Sequence, residues 1–176
     1  MTVVETERLS LRHLAEEGAG FILGLVDDPD WLRFIGDRGV HDLGGARGYI
    51  LNGPVAMYAR HGFGLYVAEL KDGREPAGMC GLLKRDWLGD VDLGFAFLPR
   101  FRGMGLAHEA ARATLEYAMN ALGLPRIAAI VQPENAGSIR VLEKLGMRLE
   151  RMALPPGESR EVCVYGTDPP ALTRLA

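Results

Sequence analysis

From Arg8 to His13 the chain reads Arg-Leu-Ser-Leu-Arg-His, with apolar side chains at every second residue, the period of a half-buried strand. The spacing then lengthens. Over Glu16 to Asp28, Phe21, Ile22, Leu25 and Val26 recur at helical intervals, and Asp30 is placed to cap a short helix through Ile35. A further helix is expected from Asp42 to Leu51. Asn52-Gly53-Pro54 should break or kink it before Val55 to His61, since proline lacks the N–H that a helix interior needs.

Beyond Gly62 the pattern turns to strands. Gly64 to Leu70, Ala77 to Arg85 and Val91 to Leu98 form a meander, with turns at Lys71-Asp72-Gly73 and Leu88-Gly89-Asp90. Pro99 ends the third strand, and a basic, glycine-rich loop leads into an amphipathic helix from Leu106 to Leu122, closed by Gly123. Pro125 to Gln132 reads as a strand, Asn135 to Leu145 as a helix, and Met147 to Leu154 with Glu161 to Thr167 as an antiparallel pair. This order predicts a mixed α/β (α+β) fold, a sheet of about seven strands covered by helices. A regular alternation of strand and helix is absent.

A length of 176 residues fits one domain, with a core over residues 6–168, and 48% apolar with 24% charged residues is the profile of a globular protein. A net charge of −3 argues against a dedicated nucleic-acid binder, which is usually basic. No apolar run approaches the ~18 residues of a membrane span. Met1-Thr2-Val3-Val4-Glu5 lacks a signal pattern, so a cytoplasmic location is expected. Cys80 and Cys163 sit in apolar runs and read as buried, reduced thiols. His13, His41, His61 and His108 show no metal-ligand spacing, and no metal is expected.

Chemistry is concentrated in Leu98 to Ala110. A strand ends, Gly103 and Gly105 remove Cβ atoms, and a helix begins, so several N–H groups can converge where the helix dipole favours an anion. Arg102 is placed to add a charge-assisted contact. The residues predict a phosphate or pyrophosphate site, although a plain glycine turn has the same spacing. A P-loop is excluded because no Gly-Lys-Ser/Thr run follows four spacer residues. A dinucleotide fingerprint is excluded because His108 stands where its third glycine or alanine belongs.

Arg102-Gly103-Met104-Gly105-Leu106-Ala107 resembles the Gln/Arg-x-x-Gly-x-Gly/Ala signature of the GNAT superfamily of N-acetyltransferases. Thr6-Glu7-Arg8-Leu9-Ser10-Leu11-Arg12 is similar to the opening strand of its ribosomal-protein-alanine branch, and Pro133 to Met147 resembles that branch's Asn-x-x-Ser…Glu-Lys-Leu-Gly-Phe block. The resemblance covers roughly residues 6 to 168. It implies a mostly antiparallel sheet splayed in its middle, where the strand ending at Phe97 and Leu98 bulges away from Pro125 to Gln132. Acetyl-CoA would enter there as cosubstrate. Its pantetheine arm would pair with the backbone of Phe97 and Leu98, and its pyrophosphate would lie on Arg102, Gly103, Met104, Gly105, Leu106 and Ala107. A free strand N–H would polarise the thioester carbonyl.

The same resemblance puts Asn135 and Ser138 on the cofactor, though Asn135 also reads as a helix N-cap and Ser138 as an ordinary helix serine. Many relatives carry a tyrosine as general acid; the matching position here is Leu142, so that role would fall to Ser138, to water, or to nothing. Asp92, where the family often has glutamate, is the candidate base, with a strand-edge aspartate as the plain alternative. Arg140, Lys144 and Arg148 recur every four residues; Lys144 suits the cofactor's 3′-phosphate, while a solvated helix face explains the spacing equally. Trp31 and Phe34 are candidates for an acceptor pocket or for packing.

The resemblance thus implies acetyl transfer to a primary amine by direct attack in a ternary complex, with catalytic Asp92 and Ser138. A protein or peptide N-terminal α-amine is the expected acceptor. The alternatives are a small-molecule amine and a non-catalytic acyl-CoA-binding module. A monomer or homodimer is expected, with no nucleic-acid or membrane partner.

Overall fold

The structure, a computed structural model, describes residues 1–168. Eight strands form one sheet: β1 (Thr2–Glu5), β2 (Leu9–His13), β3 (Leu65–Leu70), β4 (Pro76–Lys84), β5 (Val91–Phe97), β6 (Ile127–Val131), β7 (Arg148–Ala153) and β8 (Val162–Gly166). Their spatial order is β1-β2-β3-β4-β5-β6-β8-β7, antiparallel except for β5 against β6. The strand beyond the expected seven is β1, whose Thr-Val-Val run is β-branched but too short to show a period.

The helices refine the expected pattern. The first is shorter than its apolar stretch, a 3₁₀ turn at Glu16–Gly18 leading into α1 (Ala19–Val26). Asp28, rather than Asp30, caps α2 (Pro29–Phe34): its Oδ2 accepts the Trp31 N–H at 3.3 Å, and Pro29 takes the first helical position, where a missing N–H is harmless. At Asn52-Gly53-Pro54 the chain does not break. α3 (Leu43–Ile50) passes through a π-helical turn, Leu51–Val55, into α4 (Ala56–His61), and the wider turn absorbs the proline. α5 (Leu106–Asn120) and α6 (Ala136–Lys144) follow β5 and β6. None of the described helices is long and apolar enough to cross a membrane.

Side chains of a strand alternate between faces, so one contact assigns them all. Cys80 of β4 lies opposite Phe95 of β5, and its Sγ is 3.3 Å from Thr114 Oγ1 of α5. Leu93, Phe95 and Phe97 therefore face α5, while Asp92, Gly94 and Ala96 face the other side. Cys80 and Cys163 are both buried and unpaired.

The strands β5 and β6 are paired at only two positions, Val91 with Ile127 and Asp92 with Ala128, and then part. Arg126 closes the paired end. It donates to Asp90 Oδ2 at 3.0 Å, to the Thr167 carbonyl at 2.8 Å and to Glu150, so three segments meet on one guanidinium. The expected splay is present, but the expected bulge is not. β5 stays in unbroken register with β4 from Val91 to Phe97, so the gap comes from divergence of β6.

Close packing of β3 on β4 leaves no room for a side chain at Gly81. A Cβ there would lie 2.1 Å from the Gly64 carbonyl oxygen and 2.7 Å from Leu65 Cα, both backbone atoms that cannot swing aside. Gly81→Ala should destabilise the protein by about 3 kcal/mol or more. Gly24→Ala, in α1 with nothing within 4 Å, should instead stabilise it by roughly 0.5–1 kcal/mol. Urea unfolding of both variants checks the pair, and equal midpoints would contradict this packing.

Candidate active site

The parted strands form a fork that opens toward the C-terminal ends of β5 and β6, and α5 and α6 start at its two tips. At the β5 tip, Gly103 (φ +74°) and Gly105 (φ +77°) adopt the left-handed conformation, which lets the chain curl into α5. The amide N–H groups of Gly103 through His108 meet no carbonyl or side-chain acceptor among the described residues. Six consecutive donors thus surround the N-terminus of a 15-residue helix. A Cβ at Gly103 would meet nothing within 4 Å.

The cradle is braced from the turn between β1 and β2, a feature the sequence did not reveal. Glu109, in the first turn of α5, accepts from the Thr6 hydroxyl at 2.6 Å, the Arg8 N–H at 2.8 Å and Arg8 Nε at 2.7 Å. Arg8 Nη1 donates to the Met104 carbonyl at 2.8 Å. These bonds hold the Glu109 carboxyl below the usual glutamate range despite some burial. The only sequence signal was the opening-strand motif that contains Thr6 and Arg8.

Arg102 departs from expectation. Its guanidinium donates to the Phe97 carbonyl at 3.0 Å, to Asp30 Oδ2 at 2.6 Å and to Asp28. It is committed to clamping α2 onto the end of β5, where two carboxylates already satisfy its charge. Leu98 is also committed: its N–H donates to Ala77 and its carbonyl accepts from Phe101, both at 2.9 Å. Since Leu98 faces β4, the alternation of an antiparallel ladder turns the N–H groups of Phe95 and Phe97 into the fork. The strand-like donors are therefore Phe95 and Phe97 in place of Phe97 and Leu98.

At the other tip Asn135 caps α6, its Oδ1 accepting the Ser138 N–H at 3.2 Å. The Ser138 side chain is half-buried, and its hydroxyl has no side-chain partner among the described residues. Leu142 is 1% exposed and belongs to the core, so no proton donor stands at that position. Lys144 closes the far end of α6, about 9 Å of helix rise beyond Ser138, and lines a separate cavity with His108 and Arg112.

Asp92 occupies the last paired position before the fork opens and is 1% exposed. Arg85 Nε donates to both its carboxylate oxygens at 3.2 Å. Burial pushes the carboxyl up to about 6, against the opposing pull of Arg85. Arg85 in turn lines a cavity of about 530 Å³ at the closed end of the fork, with α4, the π-helical turn, Trp87 and Pro156 around it. Trp31 and Phe34 do not line this cavity. Arg102 clamps α2 to the opposite end of β5, where Trp31 is a core residue and Phe34 is half-buried under the Arg33 guanidinium. No group of three metal-ligating side chains gathers among the described residues.

Residues 8–148 match the family model described as an acetyltransferase (GNAT) domain. An uncharacterised N-acetyltransferase of Bacillus licheniformis is 30% identical over 153 residues, covering 85% of this chain and 84% of its own. The crystal structure of an acetyltransferase from Agrobacterium tumefaciens superposes with a TM-score of 0.80 at 28% identity, over 95% of this chain and 94% of that one. The ribosomal α-N-protein acetyltransferase RimL, solved in complex with coenzyme A, gives the same TM-score at 16% identity, over 95% and 97% of the two chains.

The raised value of Asp92 has a consequence for stability. Its folded-state value of about 6 lies above the 3.8 of a free aspartate, so its contribution is complete below pH 3.8 and is lost as pH rises through 6. Asp92→Asn has no charge to bury. Between pH 4 and 7 the difference in unfolding free energy should therefore move in the variant's favour by on the order of 3 kcal/mol. Denaturant titrations at each pH measure this, and parallel curves for the two proteins would refute it.

Proposed function

The chain belongs to the GNAT family of acetyltransferases and is an N-acetyltransferase, and we propose that it moves an acetyl group from acetyl-CoA to the α-amine of a protein or peptide N-terminus. The observation that carries the reading is the run of six unpaired N–H groups from Gly103 to His108, set at the mouth of a fork whose Phe95 and Phe97 amides are also free of strand partners. A pyrophosphate has the charge for the first set, and an amide-bearing pantetheine arm has the shape of a strand for the second. That RimL was solved with coenzyme A on the same fold supports the choice of ligand.

Bound acetyl-CoA supplies an electrophilic thioester carbonyl and a thiolate leaving group. The chain's own residues do the rest. Gly103 to His108 bind and orient, and the Phe95 N–H, next in line after the closed end of the fork, donates to the carbonyl oxygen as negative charge develops there. The acceptor comes from the opposite side, through the cavity bounded by Arg85. Asp92, poised near neutrality by burial, takes the proton from the incoming amine through one water, using a lone pair that Arg85 leaves free. Ser138 carries a hydroxyl free to donate at the α6 tip. An α-amine with pKa near 8 has a neutral fraction roughly two orders of magnitude above that of a lysine near 10.4, which favours α-amines at this site.

Acetyl-CoA at ~100 times its dissociation constant should stabilise the wild type by about 2.7 kcal/mol. Gly105→Glu places a side chain and a negative charge in the cradle and should abolish that stabilisation; its persistence would overturn the assignment. Asp92→Asn should lower turnover by about 10²- to 10⁴-fold with acetyl-CoA affinity retained, and the loss should shrink as pH rises. Thiol release from pH 6 to 9, with mass spectrometry of the product, reads this out. A fully active Asp92→Asn would leave attack by the free amine as the mechanism.

A further inference from the structure

The cavity at the closed end of the fork carries an electrostatic signature opposite to that of the whole chain. The protein bears a net charge of −3, yet Arg60, His61, Lys84 and Arg85 line this space against one acidic residue, Asp86. Arg85 is neutralised by Asp92 behind it. Arg60 and Lys84 have no carboxylate within 4.0 Å among the described residues; Lys84 Nζ donates only to the Gly89 carbonyl, at 2.5 Å. A helix-end role accounts for Arg60 and His61, which lie in the last turn of α4. It does not account for Lys84, which lines the same space from the end of β4.

We propose that this cavity selects an amine acceptor that carries a carboxylate or phosphate close to the reacting nitrogen, and rejects polycations. The proposal rests on the acetyl-transfer reading above and adds the acceptor's charge. An anionic group finds Arg60 and Lys84 in the lining, and Trp87 with Met57 supplies an apolar wall for the intervening carbons. The same positive charges disfavour an ammonium at the site and so shift the bound amine toward its neutral, attacking form. A polyamine gains nothing from these walls, because each further ammonium adds repulsion. For a peptide acceptor the anion is an acidic side chain at the second or third residue.

Acceptor competition tests this with the intact protein. Three C-amidated peptides that differ only after their first residue, Ser-Glu-Asp, Ser-Gln-Asn and Ser-Lys-Arg, are compared at saturating acetyl-CoA, beside free glutamate and spermidine. The expected order of kcat/KM is acidic, neutral, basic, with about five- to tenfold per step at low salt, and the spread should narrow as salt is raised. Arg60→Glu should reduce the acidic-to-basic ratio at least about tenfold, and Arg60→Gln should fall between it and the wild type. Preference for the basic peptide or spermidine, or an unchanged ratio in Arg60→Glu, would overturn the proposal while leaving peptide acetylation intact. Turnover of glutamate with none of the peptides would remove the peptide reading and keep the charge selection.

Discussion

Everything at the site depends on how β5 and β6 part after two paired positions. A sheet gains from continuing its ladder, so the separation needs forces that hold the strands together at one end and relieve their bare backbone at the other. Arg126 provides the first by gathering Asp90, Glu150 and the Thr167 carbonyl beside the paired end. Arg102 provides part of the second, since its guanidinium covers the Phe97 carbonyl in the open part. The remaining bare groups are those that a strand-shaped ligand would satisfy. Opening the sheet, placing α5 and α6 side by side and bringing Asp92 to the fork are one geometric event.

Charge follows the same axis. One end of β5 presents backbone donors and a helix N-terminus. At the other end, roughly 20 Å of strand away, stands a cavity with cationic walls. Between them Asp92 is buried enough to hold its proton near neutrality, and Arg85 keeps it from being a lone buried charge. Removing Arg85 would leave Asp92 uncompensated, while removing Asp92 would leave Arg85 facing the cavity with one more free positive charge.

The sequence disclosed what is local. Alternation marked seven strands, Gly103 and Gly105 marked the turn into α5, and Asn135 stood where an N-cap belongs; each depends on neighbours a few residues away. Nonlocal pairings were hidden. Arg102 looked free for an anion because Asp28 and Asp30, over seventy residues earlier, gave no sign of approaching it. The Thr6, Arg8 and Glu109 brace spans about a hundred residues. The cavity wall joins α4, the end of β4 and Pro156, three segments whose periodicities report only their own burial. Trp31 and Phe34 failed to reach it for the same reason, because an aromatic residue's composition does not say which end of a strand its helix is clamped to.

The two-rung junction between β5 and β6 also divides the chain in time. Three of the four ladders among β1 to β5 join strands a short turn apart, whereas β2 must wait for residues 14–64 to reach β3 and the parallel seam must wait for the crossover through α5. The seam adds little when it closes, since only two rungs are made there. Helix α5 lies with the first half, its buried side chains against β4 and β5, and meets the second half through α6. One hydrophobic core runs across the seam, so amide exchange at its two rungs should report local opening before that core melts.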